Sequence, residues 1–449
     1  MNNFSQFNLS KQLIYGLDEM GFTEPTPIQS QSYPVILSGK NVVGISQTGT
    51  GKTLAYLLPL INEIKFSQER NPRILILVPT RELVAQVMEQ IAQVTKYKTV
   101  RVTGVYGGTN IKTQAAECLK GMDILVATPG RLYDLVLGGV VALKGVKKLV
   151  IDEVDVMLDL GFLFQLNNLF EILPDRRQNI MFSATMTDEV NLLIQDFFYD
   201  PVQISTAVSG TPLANIKQTC YEARNFLTKS NLLRFLLKDE TEYSKVLIFV
   251  TGKRIADRLF EELRQDFWQE MGVIHSSKSQ NNRFTAIEEF NTGNHRILIA
   301  TDVIARGMDL EKISHVINFD TPIFPENYMH RIGRTGRAEK TGNTILLSSE
   351  KEKEAKDAIE ALMDYQIPML DFPEEVTITR ELIPEEKDKP KELTGGGSRS
   401  VNTGGDAFHK KSAKNSKENL GSRYKREIKT KFKKPLTRGD KNQNQNKKR

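Results

Sequence analysis

The chain has 449 residues, too many for one ordinary domain, and its 39% hydrophobic and 26% charged content is that of a globular protein in water. No apolar run approaches the roughly 20 residues that cross a bilayer, and Cys118 and Cys220 stand alone without a Cys/His cluster, which excludes a structural zinc site and leaves buried, reduced thiols as the expectation. The net charge of +6 divides unevenly, since residues 391–449 hold 18 Lys/Arg against 5 Asp/Glu and residues 1–390 hold 43 against 50, so a nucleic-acid groove in the body has to be a local feature.

The start, Met1-Asn2-Asn3-Phe4-Ser5-Gln6, lacks the basic and apolar regions of a signal peptide, so the chain is expected to stay where it is made and reads as cytoplasmic, without a membrane partner. Short apolar runs then alternate with longer amphipathic ones. Strands are predicted at Val42–Ser46, Ile74–Val78, Val100–Tyr106, Ile124–Thr128, Lys148–Ile151 and Asn179–Ser183, and helices at Thr53–Ile64, Glu82–Thr95 and Leu158–Leu173. Continuous Val/Ile/Leu strands fit a parallel sheet covered by helices on both faces, a doubly wound α/β domain. Around Asp200–Asn215 the pattern breaks into Pro, Ser, Gly and Thr, which reads as a linker. A second α/β alternation comes next, with strands at Val246–Val250, Gly272–His275, Arg296–Ala300, His315–Asn318 and Asn343–Leu347 and helices at Arg254–Phe267 and Arg283–Phe290. No residue-level repeat relates the halves. The reading divides the chain into a first domain at 1–205, a linker at 206–216, a second domain at 217–375, and a linker with a disordered basic tail at 376–449.

Ser46-Gln47-Thr48-Gly49-Thr50-Gly51-Lys52-Thr53 follows an apolar strand and opens a helix. Glycines let backbone N–H groups wrap phosphate oxygens, Lys52 would reach the β- and γ-phosphates, and Thr53 would hold magnesium through its hydroxyl. The general phosphate-loop pattern starts with Gly, and here that place is Ser46. Leu149-Val150-Ile151 runs into Asp152-Glu153-Val154-Asp155, carboxylates at the C-terminal end of a strand where ligands bind in open α/β sheets. Asp152 would anchor magnesium and Glu153 would orient or accept a proton from the attacking water. An acidic turn before a helix has the same composition.

With these two motifs in place, the sequence resembles the DEAD-box RNA helicases over about residues 4–370. Gly21-Phe22-Thr23-Glu24-Pro25-Thr26-Pro27-Ile28-Gln29 is similar to the family's Q motif, with Phe4 at the upstream aromatic position. The resemblance implies that Gln29 reads the adenine edge, that Phe4 stacks on the base, and that Phe22 lies among the nucleotide-binding residues; an aromatic near a terminus, as Phe4 is, reads equally as a packing residue. Pro79-Thr80-Arg81-Glu82-Leu83, Gly107-Gly108 and Thr128-Pro129-Gly130-Arg131 resemble the loops that hold an RNA backbone, implying contacts from Pro79, Thr80, Arg81, Gly108, Thr128 and Arg131 that do not read bases. Ser183-Ala184-Thr185 resembles the motif that couples ATP state to strand separation, with Asp155 bridging to Ser183 and Thr185. A strand-to-helix turn capped by hydroxyls reads the same way. In the second half, Thr301-Asp302-Val303-Ile304-Ala305-Arg306-Gly307-Met308-Asp309 and His330-Arg331-Ile332-Gly333-Arg334-Thr335-Gly336-Arg337 are the most specific matches. They imply that Arg334 and Arg337 are arginine fingers, that His330 lies near the attacking water, that Asp309 contacts the ribose, and that Thr301 and Gly307 help bind RNA or nucleotide.

Two departures are mild: Val154 stands where the family has Ala, and Ser46 likewise replaces Ala. The implied architecture is two tandem RecA-like domains, with ATP and magnesium as cofactors and single-stranded or short duplex RNA as partner. A monomeric core and ribosomal or RNA-decay proteins as further partners are expectations of the same kind, and the compact core with a short basic tail resembles bacterial members. The tail reads either as an RNA tether acting through counterion release or as a solubilising extension. A DNA helicase or translocase, and an RNA chaperone or scaffold with weak ATPase, stay open at this point.

Overall fold

The computed structural model describes residues 4–46, 49–206, 215–302, 310, 312–335 and 341–387. Among them two wholly parallel sheets form. The first joins β1 (Val42–Ile45), β2 (Ile74–Leu77), β3 (Val102–Val105), β4 (Ile124–Ala127), β5 (Lys148–Ile151), β6 (Gln178–Ser183) and β7 (Val202–Ser205) in the order β3-β4-β2-β5-β6-β1-β7. The second joins β8 (Ile216–Glu222), β9 (Val246–Val250), β10 (Met271–Ile274), β11 (Ile297–Thr301), β12 (His315–Asn318) and β13 (Gly342–Ser348) in the order β10-β11-β9-β12-β13-β8. Leaving aside the edge strand β7, the two orders are the same when each sheet's strands are counted from its own first. The halves therefore share a fold whose repeat lies in topology, with little of it in residue identity.

The continuous apolar strands are explained by burial on both faces. Ile74 and Ile76 of β2 face one helical layer, with the helices Lys52–Glu63 and Arg81–Val94, while Leu75 and Leu77 face the other, with Pro129–Leu137 and Leu163–Ile172. Each such side chain contributes about 1.5–3 kcal/mol by leaving water. The edge strands are where the sequence was misleading. β7 turns a single side chain, Ile204, fully inward, and β8 alternates buried Ile216, Gln218 and Cys220 with solvent-facing neighbours. Half-buried edges carry too few apolar residues to stand out from a linker.

Two other expectations are corrected. The helix predicted over Leu158–Leu173 is two helices, Val154–Asp159 and Leu163–Ile172, because Gly161 turns the chain at φ +77°. The helices Lys11–Glu19, Pro27–Leu37, Phe226–Leu237, Pro325–Ile332 and Lys353–Met363, among others, were not identified from the sequence. The second domain also extends past the boundary drawn at 375: Val376 and Ile383 are buried in its core, and Asn225 donates its side-chain N–H groups to the Thr379 and Glu381 carbonyls. Cys118 and Cys220 are free and buried, and burial pushes the Cys220 thiol up to about 11. Among the described residues no helix is long and apolar enough to cross a membrane. Residues 207–214 of the linker and 388–449 of the basic tail lie outside the described residues.

Candidate active site

β5, β6 and β1 are neighbours in the first sheet, so the turns leaving their C-terminal ends converge. From β1 the chain passes through Ser46 into a loop whose Gln47 and Thr48 lie outside the described residues, then through Gly49 and Thr50 to Gly51 at the N-terminus of the helix Lys52–Glu63. Gly51 has φ +88°, and a Cβ there would run into the side-chain nitrogen of Gln29, so backbone and space both require glycine. Ser46 shares hydroxyl hydrogen bonds with Thr50 at 2.6 Å and Thr206 at 3.0 Å, and its N–H donates to the Ser183 carbonyl at 3.0 Å. The serine is thus used to brace the loop. Lys52 is only 6% exposed, and its Nζ has no hydrogen-bond partner among the described residues. A buried ammonium without a partner is costly, and beside the free N–H groups of a helix start a phosphate would satisfy it. Thr53 is half-buried one residue further on.

At the end of β5, Asp152 accepts hydrogen bonds from the Tyr56 hydroxyl and the Glu153 N–H, both at 3.0 Å. Burial pushes its carboxyl up to about 6, opposed by the Lys52 charge and reinforced by Glu153. Glu153 sits in the left-handed region at φ 52°, ψ 51°, a conformation worth about 1–3 kcal/mol of strain in a non-glycine residue. The strain aims a buried carboxylate whose Oε2 has no partner among the described residues. Val154 is fully buried in the core, so the extra methyls pack away from the polar side chains. Asp155 accepts from the Ala184 N–H at 3.1 Å, the Thr185 N–H at 3.0 Å and the Thr185 hydroxyl at 2.9 Å, while the Ser183 hydroxyl donates to the Thr185 carbonyl at 2.7 Å. The turns after β5 and β6 are therefore one unit.

The second domain reaches this unit directly. His330 Nε2, on the helix Pro325–Ile332, lies 3.4 Å from Asp155 Oδ2, with both side chains buried. Burial alone would raise the Asp155 carboxyl, but the hydrogen bond and charge of His330, with Lys52 and Thr185, hold it well below the usual carboxylate range. Arg334 follows the helix, is 3% exposed, and donates from Nε to the His330 carbonyl at 3.4 Å. Arg331 serves the fold instead. It makes a two-pronged ion pair with Asp302 at 2.5 and 2.7 Å, and donates to Asn318 at 3.1 Å and the Asp320 carbonyl at 2.7 Å. Arg331→Met is expected to destabilise the second domain by about 3–5 kcal/mol, since it strands Asp302 and two further acceptors. Urea unfolding of the variant checks this, and a loss below about 1 kcal/mol would make the network dispensable.

The loops expected to hold RNA fall into two kinds. Thr80 caps the helix Arg81–Val94 by accepting the Leu83 N–H at 3.2 Å, and Pro79 is buried beside it. Arg81 donates to Gln280 of the second domain at 3.0 Å and packs against Gly108. Thr128 heads the helix Pro129–Leu137 without a side-chain cap, and Thr301 ends β11, 7% exposed. Arg131, expected as a free charge, points inward: its guanidinium donates to Gln114 at 2.6 Å and to the Thr109 carbonyl at 2.8 Å, bracing the turn after Gly107 and Gly108. Gln29 donates to the Gly51 carbonyl at 3.1 Å and accepts the Thr26 N–H at 3.0 Å, which ties the N-terminal motif to the phosphate loop. Phe4 is in the core, 4% exposed and edge-on to Phe7, while Phe7 stacks on Tyr33 at 4.2 Å. A ring buried this way offers no face to a base, so its place here is structural. Phe22 is 43% exposed.

The sequence profile of the DEAD/DEAH box helicase family matches residues 26–193, and that of the helicase conserved C-terminal domain matches residues 228–339. The Sclerotinia sclerotiorum protein named ATP-dependent RNA helicase dbp2 is 39% identical over 372 residues, 81% of this chain and 65% of that one. The Candida glabrata protein named ATP-dependent RNA helicase DBP2 is 41% identical over 371 residues, 81% of this chain and 68% of that one. The chain belongs to the DEAD-box helicases. Among solved structures, S. cerevisiae Dbp5 bound to RNA and ADP BeF3 superposes with a TM-score of 0.75 at 28% identity, covering 82% of this chain and 96% of that one. Mss116p bound to ssRNA and AMP-PNP also gives 0.75, at 26% identity, covering 82% and 78%. The chain spans 65–68% of the length of the two relatives named first.

In this DEAD-box protein the turns after β1, β5 and β6 bring Ser46, Gly51, Lys52, Asp152, Glu153, Asp155, Ser183 and Thr185 to one end of the first sheet, His330 meets them through Asp155, Arg334 follows the His330 helix, and Gln29 bonds to the phosphate loop. Arg337, Asp309 and Gly307 lie outside the described residues, as do Gln47 and Thr48. Sequence reading missed three residues that join the two domains: Glu82 forms an ion pair with Arg283 and accepts from Gln280 at 3.2 Å. Their spacing on one helix, Gln280 and Arg283, is the ordinary pattern of a polar helix start, so nothing local set them apart.

Proposed function

We propose that the protein is an RNA-dependent ATPase that separates short RNA duplexes or remodels RNA–protein complexes. The observation that carries this is the contact between Asp155 and His330. It sets the phosphate-loop and carboxylate half of the site against the arginine-bearing helix of the other domain. Lys52 and the loop N–H groups would bind the ATP phosphates, Glu153 would orient and deprotonate water, and Arg334 with Arg337 would meet the charge that develops on the γ-phosphate. Because these groups belong to different domains, hydrolysis would require the cleft to be closed. Asp155 would report that closure to Ser183 and Thr185 by hydrogen bonds, and Arg81 and Glu82 would carry it to the loops proposed to hold RNA.

A divalent cation fits the donors present. Among the described residues no cluster of three or more His, Cys, Asp or Glu could cage a metal, whereas magnesium takes one or two protein oxygens and completes its shell with phosphates and waters. Asp152, whose charge burial disfavours, and the Thr53 hydroxyl would hold it. Bound there, magnesium would neutralise charge between phosphate oxygens. Relatives solved with RNA and ATP analogues support RNA as the polymer. A cytoplasmic, monomeric enzyme working with ribosomal or RNA-decay proteins completes the reading.

The test is ATP hydrolysis by the purified chain with single-stranded RNA, with matched DNA and without nucleic acid. Stimulation by RNA and not by DNA is the expected result. Equal stimulation by both would replace RNA remodelling with a DNA translocase.

A further inference from the structure

The shared strand order makes β8 the counterpart of β1, and the correspondence is close at its end. Ser46 N–H donates to the Ser183 carbonyl at 3.0 Å in the first domain, and Ala223 N–H donates to the Ser348 carbonyl at 2.9 Å in the second. Beyond that bond the two domains part. Between β1 and its helix lies the phosphate loop, and Lys52 is left with an unpartnered ammonium among the described residues. Between β8 and the helix Phe226–Leu237 lie only Ala223, Arg224 and Asn225, with no glycine. The place of Asp152 is taken by Phe319, as each donates its N–H to the neighbouring strand at the same step, Asp152 to Leu77 and Phe319 to Phe249.

The helix start is filled from within. The Phe226 N–H donates to Glu386 Oε1 at 2.7 Å, and Glu386 Oε2 accepts the Ile383 N–H at 3.1 Å. The segment carrying Glu386 is tied down along its length. Thr379 exchanges hydrogen bonds with the Thr228 hydroxyl at 3.2 Å, Asn231 donates to the Thr377 carbonyl at 2.9 Å, and Glu385 pairs with Arg258 at 3.1 Å. Beneath it, Lys229 is 4% exposed, pairs with Glu352 at 2.7 Å, lies 4.0 Å from Asp320 and sits over the Phe319 ring. Glu352 accepts the Thr321 N–H at 2.9 Å, and the Asp320 carbonyl accepts from Arg331. Asp320 and Thr321, which open the turn into the helix Pro325–Ile332, are thus held by Arg331 of that helix and by Glu352, the partner of Lys229.

We propose that residues 376–387 form an internal carboxylate strap, in which Glu386 occupies the helix end that the first domain leaves open for phosphate, and that Glu386 and Lys229 are positioning residues for the helix that bears His330 and leads into Arg334. The role assigned to that helix rests on the function proposed above. The strap has a physical reason: the Asn225 side chain caps this helix by accepting the Thr228 N–H at 2.9 Å, and a charge-assisted bond from the chain's own carboxylate satisfies the Phe226 N–H that this cap does not reach.

The deciding experiment is amide hydrogen exchange on the full chain, wild type against Glu386→Ala, with and without acetate. Exchange in 226–237 and in 325–335 is expected to rise about tenfold in the variant, the worth of one hydrogen bond to a charged group, with 52–63 unchanged. Acetate, refilling the vacated place, is expected to reverse both. The variant's turnover number for RNA-stimulated hydrolysis should fall while its KM for ATP holds. A rise confined to 226–237 would make Glu386 a local cap and overturn the positioning role. So would a uniform rise across the second domain that acetate leaves unchanged. If the wild type shows no RNA-stimulated hydrolysis, the proposed function fails, while the exchange pattern still decides the strap.

Discussion

Arg334→Ala is expected to lower RNA-stimulated ATP hydrolysis by roughly 10³–10⁵, the worth of an arginine finger in phosphoryl transfer, with ATP affinity nearly unchanged. The asymmetry comes from where the charge appears. In the function proposed above, ground-state ATP would be held by the first domain alone, through the Lys52 ammonium and the N–H groups after Gly51. Additional negative charge on the transferring group develops only on the way to the transition state, and a group that meets it there raises turnover without tightening binding. Arg334 is suited to this because its position is fixed in advance. It is 3% exposed, bonded back to the His330 carbonyl, and follows a helix locked by the Arg331–Asp302 pair. Arg337→Ala is expected to behave alike. Single-turnover hydrolysis with saturating RNA, beside equilibrium binding of a fluorescent ATP analogue, separates the two quantities. Turnover near that of the wild type would remove Arg334 from the site. An equal loss in binding and turnover would make it an ordinary phosphate ligand.

Much of this site was legible because its chemistry is local. A phosphate loop needs its glycines and lysine in one stretch, and carboxylates at a strand end need only a few consecutive residues. What stayed illegible depends on distance along the chain. Arg131 reads from sequence as a contact to an RNA backbone, yet Gln114 and Thr109 turn it inward, and neither lies near it in sequence. Phe4 looked like a base platform, and packing against Phe7 makes it core. Glu82 and Arg283 are separated by two hundred residues and join only when the domains meet. The same limit hid β7 and β8, whose half-buried alternation is set by an edge position that only the assembled sheet defines. The end of the second domain was drawn too early for a like reason. Residues 376–387 mix charged residues with a few apolar ones in no helix or strand period, and their order comes from burial of Val376 and Ile383 and from carboxylate and carbonyl contacts to a helix start far upstream.

Glu153→Gln is expected to separate hydrolysis from binding and to make the protein more stable at the same time. A positioned general base contributes about 10²–10⁴ in rate, so turnover should fall by that amount with RNA present. The amide has the shape of the carboxylate and meets the same left-handed backbone, so the strain at φ 52° is not relieved and the turn keeps its form. What changes is the charge. Glu153 is buried, with Oε2 lacking a partner among the described residues, and it adds to the charge crowding that raises Asp152. Removing a buried charge that the fold does not pair should raise stability by about 1–3 kcal/mol. A site built for folding would lose stability on losing such a group; one built for chemistry gains it. Thermal unfolding and hydrolysis on the same preparation test both halves. Lower turnover with a lower melting temperature would mark Glu153 as part of the scaffold, and a higher melting temperature with unchanged turnover would leave the attacking water without its base. With both expectations met, ATP should also hold the variant on RNA far longer than the wild type, because the step that resets the closed cleft is the one removed.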